Sequence, residues 1–208
     1  MKILLTLEHF LNLDFGKLIA ASILDADVEL INKILKLIEE NGELSQAFLA
    51  LANTGNKSKS ASTIQEEAID VLLVALDIAL MMTNHQAELI TSFLTDGFTI
   101  GAEYLSDPSI EGMPPKDAFY LVFTIQKEIV SIHELFESMD AVDRNQPDFQ
   151  EEIDNILNLV LKSLLLIMGD AIAVILVSGI DDEELNTLFN CKTQKWLSKA
   201  EANHMVGG

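Results

Sequence analysis

Residues 66–82 read EEAIDVLLVALDIALMM and predict a helix that is apolar on nearly every side. A helix of that kind is buried in the interior of a protein. Glu67, Asp70 and Asp77 interrupt it, and their spacing places them along one stripe of its surface. Ionised carboxylates in a core are costly unless they pair with a cation or bind a metal ion. Because few Lys or Arg residues are near them in the sequence, the stripe predicts a metal site.

A second amphipathic helix is predicted immediately upstream, over residues 33–51 (KILKLIEENGELSQAFLAL). It carries Glu40 and Glu43 one turn apart. The polar residues 53–62 (NTGNKSKSAS) predict a linker, and Thr63 with Glu66 predicts a capping box that starts the next helix. The two helices therefore form a predicted hairpin with four carboxylates on its inner faces.

Composition and charge limit the classes of function. The chain has 208 residues, of which 49% are apolar, enough for a sizeable core. Its formal charge of −20 disfavours nucleic acid and anionic membranes as partners and favours cation binding. The single cysteine, Cys191, allows no intramolecular disulfide, so a cytoplasmic location is expected. We expect the N-terminal residues to form a helix rather than a signal peptide, and no membrane span, because Lys162 and Asp170 interrupt the most apolar stretch, residues 156–180.

The whole chain predicts an all-α protein with helices at about 2–13, 16–24, 26–52, 63–83, 85–105, 116–142, 148–178 and 181–200. Residues 106–117 (SDPSIEGMPPKD) form the most proline-rich break. We therefore expect a first unit over 1–105, a linker over 106–117 and a second unit over 118–208.

The second unit repeats the carboxylate pattern of the first. Shifted by 94 residues, Glu40 and Glu43 align with Glu134 and Glu137; shifted by 84, Glu67 and Asp70 align with Glu151 and Asp154. Flanking isoleucines and a lysine recur as well, and the change of offset falls in a loop, where insertions are tolerated. The halves are not equivalent, since Leu161 replaces Asp77 and Lys162 replaces Ile78, so one site is expected to have decayed.

This pair of motifs resembles the MazG-like, all-α nucleoside triphosphate pyrophosphohydrolases, a family that includes the dimeric-type dUTPases. Its signature is E-x-x-E on one helix and E-x-x-D on the next, which residues 40–43 (ENGE) and 67–70 (EAID) match. Residues 134–137 (ELFE) and 151–154 (EEID) give a looser second copy. The resemblance implies a MazG-like helical bundle built from two tandem repeats of a carboxylate-bearing hairpin.

The resemblance also implies an activity and a ligand set. Glu40, Glu43, Glu67 and Asp70 are expected to be the catalytic and metal-binding residues, with the second quartet (Glu134, Glu137, Glu151 and Asp154) as further candidates. Such oxygen-rich sets suit Mg²⁺, or Mn²⁺. The expected reaction is the hydrolysis of a (d)NTP to the monophosphate and pyrophosphate, in nucleotide-pool house-cleaning. Many members of the family dimerise, so a homodimer is expected here.

The residues that would hold the nucleotide are less closely specified by the sequence. Candidates are Lys33, which precedes Glu40 on the same helix, Asp77, and the basic segment with Lys192, Lys195 and Trp196. Each has a plainer interpretation. Lys33 could cover apolar surface with its stem, Trp196 could belong to the core, and Asp77 could be a packing residue bonded to a neighbour.

Two other functions compete with this prediction. A di-iron carboxylate bundle needs Glu-x-x-His twice, and the chain offers that spacing only from Glu201 to His204. A non-catalytic helical interaction module that retains the MazG-like fold is the alternative to the enzyme. Phosphate-binding glycine loops, Ser or Cys nucleophile motifs and zinc-type Cys/His clusters are missing from the sequence.

Overall fold

The computed structural model describes residues 5–54, 57–106, 118–142, 144 and 147–207. These residues contain eight α-helices and no strand, which confirms the all-α prediction. The helices are α1 (Leu7–Leu11), α2 (Gly16–Leu24), α3 (Leu30–Thr54), α4 (Lys57–Met82), α5 (Leu89–Ser106), α6 (Tyr120–Ala141), α7 (Phe149–Ser178) and α8 (Asp182–Gly207).

Helices α3 and α4 extend into the residues that were predicted to form a linker. Residues 57–62, expected in a linker, are helical, and α4 begins at Lys57. The predicted capping box is therefore wrong, because Thr63 lies inside α4 instead of at its start. Of the linker predicted at 106–117, Ser106 ends α5 and the remaining residues lie outside the described part of the chain.

The start of α5 also differs from the prediction. Asn84 and His85 have positive φ angles of 51° and 57°, a backbone conformation that interrupts a right-handed helix. The helix predicted from residue 85 consequently begins at Leu89. The α8 helix, in contrast, continues beyond the predicted end at residue 200.

Four long helices form the centre of the molecule. The α3–α4 hairpin packs beside the α6–α7 hairpin, with α4 against α7 and α3 against α6. Both central helices are buried over long runs, which include Ala68–Ile69 and Val71–Leu76 of α4 and Ile167–Ile175 of α7. These are the most continuously apolar stretches of the sequence, and their burial supplies the main hydrophobic stabilisation.

The outer helices cross between the two predicted units. The α5 helix, from the first unit, packs on α7, while α8, from the second, packs on α2 and α4. One hydrophobic core cluster contains residues of both units, for example Phe10 and Leu73 together with Ile129 and Phe189. The two units thus share a single core.

The α7 helix is long and apolar enough to cross a bilayer, judged by length and composition. In the fold, 67% of its most apolar window is buried, as is usual for the central helix of a bundle.

Glycines allow α5 and α7 to approach closely. A Cβ added to Gly101 would lie 2.7 Å from the carbonyl oxygen of Gly169, and one added to Gly169 would lie 2.5 Å from Cγ2 of Ile100 and 2.8 Å from its Cβ. The contact involves backbone and the first side-chain atom, which cannot move aside without shifting a helix. A Cβ added to Gly42, in α3, would meet nothing within 4 Å.

Substituting these glycines tests the close crossing. Gly42→Ala is expected to stabilise the fold by about 0.5–1 kcal/mol, because alanine is the better helix former. Gly169→Ala gains the same helix propensity but overpacks the α5–α7 contact, so it should be less stable than Gly42→Ala by about 1–3 kcal/mol. Urea unfolding followed by circular dichroism measures both. Equal stabilisation by the two substitutions would contradict the crossing.

Asp170 is a carboxylic acid in the core of the bundle, 1% exposed. Its Oδ2 accepts a 2.5 Å hydrogen bond from Thr124 of α6, and its Oδ1 has no hydrogen-bond partner. Burial, with a smaller contribution from the nearby Glu128 charge, raises the pKa of Asp170 from 3.8 to about 7 despite the opposing hydrogen bond from Thr124. The folded state therefore holds this proton more tightly than the unfolded chain does.

Asp170 should make the folded protein less stable as the pH rises. Because the raised pKa belongs to the folded state, the stabilisation is fully present below about pH 4 and is lost as the pH rises towards and through 7. Relative to Asp170→Asn, which cannot ionise, wild type should lose on the order of 3 kcal/mol over that range. Urea unfolding of both proteins between pH 4 and 8 measures the difference. Asp154→Asn, at an exposed position of the same helix, is the matched control, and a difference that does not change with pH would refute the prediction.

Candidate metal centre

Three of the four predicted acids of the first hairpin converge inside the bundle. Glu40 of α3 and Glu67 and Asp70 of α4 each place a carboxylate oxygen within 4.8 Å of those of the other two. Glu67 and Asp70 lie one turn apart on α4, and α3 packs along that face. Glu40 is 4% and Asp70 7% exposed. We refer to these residues as the carboxylate triad; within the described part of the chain, no other group of three or more potential ligands meets so closely.

Lysines from two helices neutralise part of the triad. The Nζ of Lys36 lies 2.5 Å from Oε1 of Glu40, one turn further along α3. The Nζ of Lys192, on α8, forms an ion pair with Oδ2 of Asp70. The expectation that these acids lack nearby cations is therefore wrong, because α8 is distant in sequence and adjacent in space.

Glu67 is the triad member for which no lysine ion pair is observed within the described residues. Burial raises its pKa from 4.5 to about 7; Lys192 lowers the pKa, while the charges of Asp70, Glu43 and Glu40 raise it. Burial is also the largest cause of the raised pKa values of Glu40 and Asp70, against the bonds from their lysines. The triad thus holds more negative charge than its surroundings compensate.

The unsatisfied oxygens of the triad fit a metal ion. Oε2 of Glu40 and Oε2 of Glu67 are buried and have no hydrogen-bond partner. A buried acceptor without a partner is costly, and a cation between the two carboxylates would satisfy both. Clustered carboxylate oxygens are the ligands of hard divalent cations such as Mg²⁺, Mn²⁺ and Ca²⁺. The triad therefore has the chemistry of a metal site, without selecting one of these ions.

Glu43, the fourth predicted acid, lies at the edge of this site. Its side chain is exposed, and it is not a member of the triad. Its charge nevertheless raises the pKa of both Glu40 and Glu67. Glu43 is thus close enough to act on the site electrostatically, from the solvent side.

The second quartet does not form an equivalent cluster. Its four members are all exposed and belong to no group of converging ligands within the described residues. His133 lies 3.5 Å from Glu137, and Gln150 donates a 2.8 Å hydrogen bond to Asp154. Glu201 and His204, the candidates for a di-iron motif, are likewise exposed on α8. Of the two predicted quartets, only that of the first hairpin brings three of its acids together.

A pocket of about 190 Å³ opens beside the triad, between α3, α4 and α8. Lys36, the partner of Glu40, is part of its wall, so the pocket and the triad are neighbours. Three predicted substrate residues, Lys33, Asp77 and Trp196, line the pocket, with Asn32, Asn203, Lys199, Asp25, Val28 and Val74. We call it the tryptophan pocket.

The predicted substrate residues take defined roles in the structure. Lys33 is 7% exposed, so its side chain is buried rather than solvated. Its Nζ lies 2.5 Å from Oδ2 of Asp77, which is therefore bonded to a neighbouring helix. Trp196 is half-buried, with one side on the core and another on the pocket. Lys192 reaches Asp70, and the exposed Lys195 lowers the pKa of Asp70 by its charge.

Comparison with protein-family models, with curated proteins and with solved structures gives no match to this chain.

Sequence reasoning missed Lys36 and the two asparagines of the pocket. The signal for Lys36 was present, since it precedes Glu40 by four residues and such pairs meet on a helix. The asparagines carry no comparable signal: Asn32 and Asn203 come together only because α8 lies near the start of α3.

Metal binding at the triad should stabilise the fold. At a free Mg²⁺ concentration 100 times its Kd, the gain is about 2.7 kcal/mol, or roughly 5–10 °C in Tm for a chain of this length. Glu67→Gln keeps the shape of the side chain and removes a ligand charge, so the Tm shift should shrink. Glu151→Gln makes the same change in the exposed quartet and should keep it. Differential scanning calorimetry with and without Mg²⁺ measures both, and an equal shift in the two variants would exclude the triad as the site.

Proposed function

We propose that this protein is a Mg²⁺-dependent nucleoside triphosphate pyrophosphohydrolase that converts a (d)NTP to the monophosphate and pyrophosphate. The observation that carries the proposal is the buried carboxylate triad, with two oxygens lacking hydrogen-bond partners, next to a pocket that contains lysines and a tryptophan. A triphosphate chain needs cations along its length and the base needs an apolar or aromatic contact. Both occur side by side here.

Glu40, Glu67 and Asp70 would hold the Mg²⁺ ion, with Glu43 at the solvent edge. When bound, such an ion supplies charge stabilisation of the phosphates and activation of a water molecule. The side chains of the protein would bind and orient the substrate. Lysines beside the triad are placed to bind phosphate oxygens, and the candidates are Lys36, Lys192 and Lys195.

The tryptophan pocket is the proposed site of the base. At about 190 Å³ it is smaller than the roughly 300–1,000 Å³ typical of whole-ligand sites, so it would hold only part of a nucleotide. Trp196 offers an aromatic face for stacking. The amides of Asn32 and Asn203 can both donate and accept hydrogen bonds, as recognition of a base edge requires.

The packing of the helices supports a MazG-like bundle of two repeats. In each half a hairpin, α3–α4 or α6–α7, is followed by a third helix that packs on the central helix of the other half: α5 on α7, and α8 on α4. An arrangement in which two halves exchange their third helices is expected of a duplicated unit. We therefore propose that the tandem repeat predicted from the sequence underlies the fold.

Charge and exposed surface support the proposed partners. A net charge of −20 disfavours nucleic acid and anionic membranes, and we retain the cytoplasm as the proposed location. Exposed apolar side chains form a stripe on α3, at Ile31, Leu35 and Ile38, with Phe123 and Val130 on the neighbouring α6. Such a stripe supports a homodimer.

A non-catalytic helical interaction module is the second candidate. Two observations favour it: Lys36 and Lys192 form ion pairs with Glu40 and Asp70, and the same apolar stripe would serve a partner protein. Under this alternative the acids form structural ion pairs with the lysines, and no nucleotide would be hydrolysed.

Activity measurements separate the two. Wild type incubated with Mg²⁺ and a panel of canonical and damaged (d)NTPs should release pyrophosphate and a monophosphate from at least one of them. Glu67→Gln should lower kcat by about a hundredfold or more, because a metal-binding charge in the reacting site is lost. Glu151→Gln should change kcat less than about twofold, since an exposed acid remote from the site is replaced. Release of orthophosphate, or no turnover of any nucleotide, would refute the proposal.

A further inference from the structure

The two ion pairs of the triad share an unusual arrangement. Each joins a buried carboxylate to a lysine whose side chain lies nearer the surface, and each lysine comes from a different side, α3 for Lys36 and α8 for Lys192. The carboxylate of Glu40 retains one buried oxygen that the lysine does not satisfy. The lysines thus compensate the charge of the triad and leave its hydrogen bonding incomplete.

The two lysines balance part of the negative charge of the triad. Two ammonium groups carry +2, the charge of one divalent cation. Each ammonium group forms an ion pair with one acid of the triad. In the absence of a metal ion, three carboxylates within 4.8 Å of one another would otherwise repel. The lysines are therefore the counter-charge that lets the acids converge in advance.

We infer that Lys36 and Lys192 are internal counter-ions which a divalent cation displaces from Glu40 and Asp70, and that the displaced ammonium groups then bind the phosphates of the nucleotide. The inference rests on the proposed function. The exchange conserves charge at the triad and delivers two cations to its rim. Lys36 already lines the tryptophan pocket, and Lys195 lies one turn from Lys192. A lysine suits the exchange because its compact charge sits on a flexible four-carbon stem.

The exchange predicts opposite effects on two ligands. Lys192→Met keeps the apolar stem and removes the competing charge, so Mn²⁺ should bind about threefold to tenfold more tightly. Tripolyphosphate, a probe without a base, should bind at least about tenfold more weakly at saturating Mn²⁺, because a charged hydrogen bond is lost. Lys36→Met should behave in the same way. Free Mn²⁺ measured by electron paramagnetic resonance gives the first affinity, and isothermal titration calorimetry gives the second.

Two further variants make the test decisive. Lys127→Met removes one charge from the exposed surface of α6 and should alter neither affinity. Lys192→Arg keeps the charge and can form a two-point bond with Asp70, so it should retain tripolyphosphate binding and bind Mn²⁺ no more tightly than wild type does. This variant also serves if Lys192→Met fails to fold. For Lys192→Arg, tighter Mn²⁺ binding than in wild type would overturn the exchange.

The outcomes distinguish the inference from the proposed function. Wild type that binds Mn²⁺ and tripolyphosphate, with affinities that Lys192→Met leaves unchanged, overturns the exchange and leaves the metal site standing. Wild type that binds no Mn²⁺ overturns the proposed function and the exchange together. Tighter Mn²⁺ binding combined with weaker tripolyphosphate binding supports the exchange, because a lysine with only a structural role would not move the two affinities in opposite directions.

Discussion

The compensation of charge on one buried helix, α4, is the constraint on which the arrangement of the other helices depends. The helix is largely buried from Ile64 to Leu80, yet Asp70 and Asp77 point charges into that interior. Lys192 of α8 forms an ion pair with Asp70, and Lys33 of α3 forms one with Asp77. Buried acids without partners would cost several kcal/mol each, so the positions of α3 and α8 against α4 are fixed by these bonds as well as by apolar packing.

The same bonds explain how α8 docks. Most of its described surface is polar, and Leu185, Phe189 and Ala200 are its buried apolar residues. With the partly buried Leu188, these residues pack α8 mainly against α2 and also against α4. The ion pair of Lys192 with Asp70 adds a directional contact, and Trp196 fills space between the core and the pocket. The helix that completes the candidate site is therefore held by apolar packing, mainly on α2, and by an ion pair to α4.

Helices and acids were easier to predict from the sequence than helix ends and cations. Long apolar runs identify α4 and α7 as buried helices, and the spacing of the triad on two adjacent helices is visible in the sequence directly. The predicted start of α5 was wrong because it depends on backbone conformation. Asn84 and His85 adopt left-handed conformations, which a hydrophobic pattern does not reveal. Polar residues 57–62 indicated a linker, although serine and lysine are tolerated in helices. Lys192 is 122 residues from Asp70, so their contact becomes visible only once the crossing of the third helices is known.

The acids of the second quartet do not converge, and the position of Glu151 along its helix explains why. Glu67 lies ten residues after the start of α4, where α3 and α8 cover it, whereas Glu151 lies in the first turn of α7. Acids in a first turn are stabilised by the helix dipole and by water and need no other partner. The helix that would correspond to α8, namely α5, crosses α7 near Gly169, about four turns beyond Asp154. In the first half, a deep position on the helix, cover by a third helix and a lysine on that third helix occur together, and the second half does not combine them within the described residues.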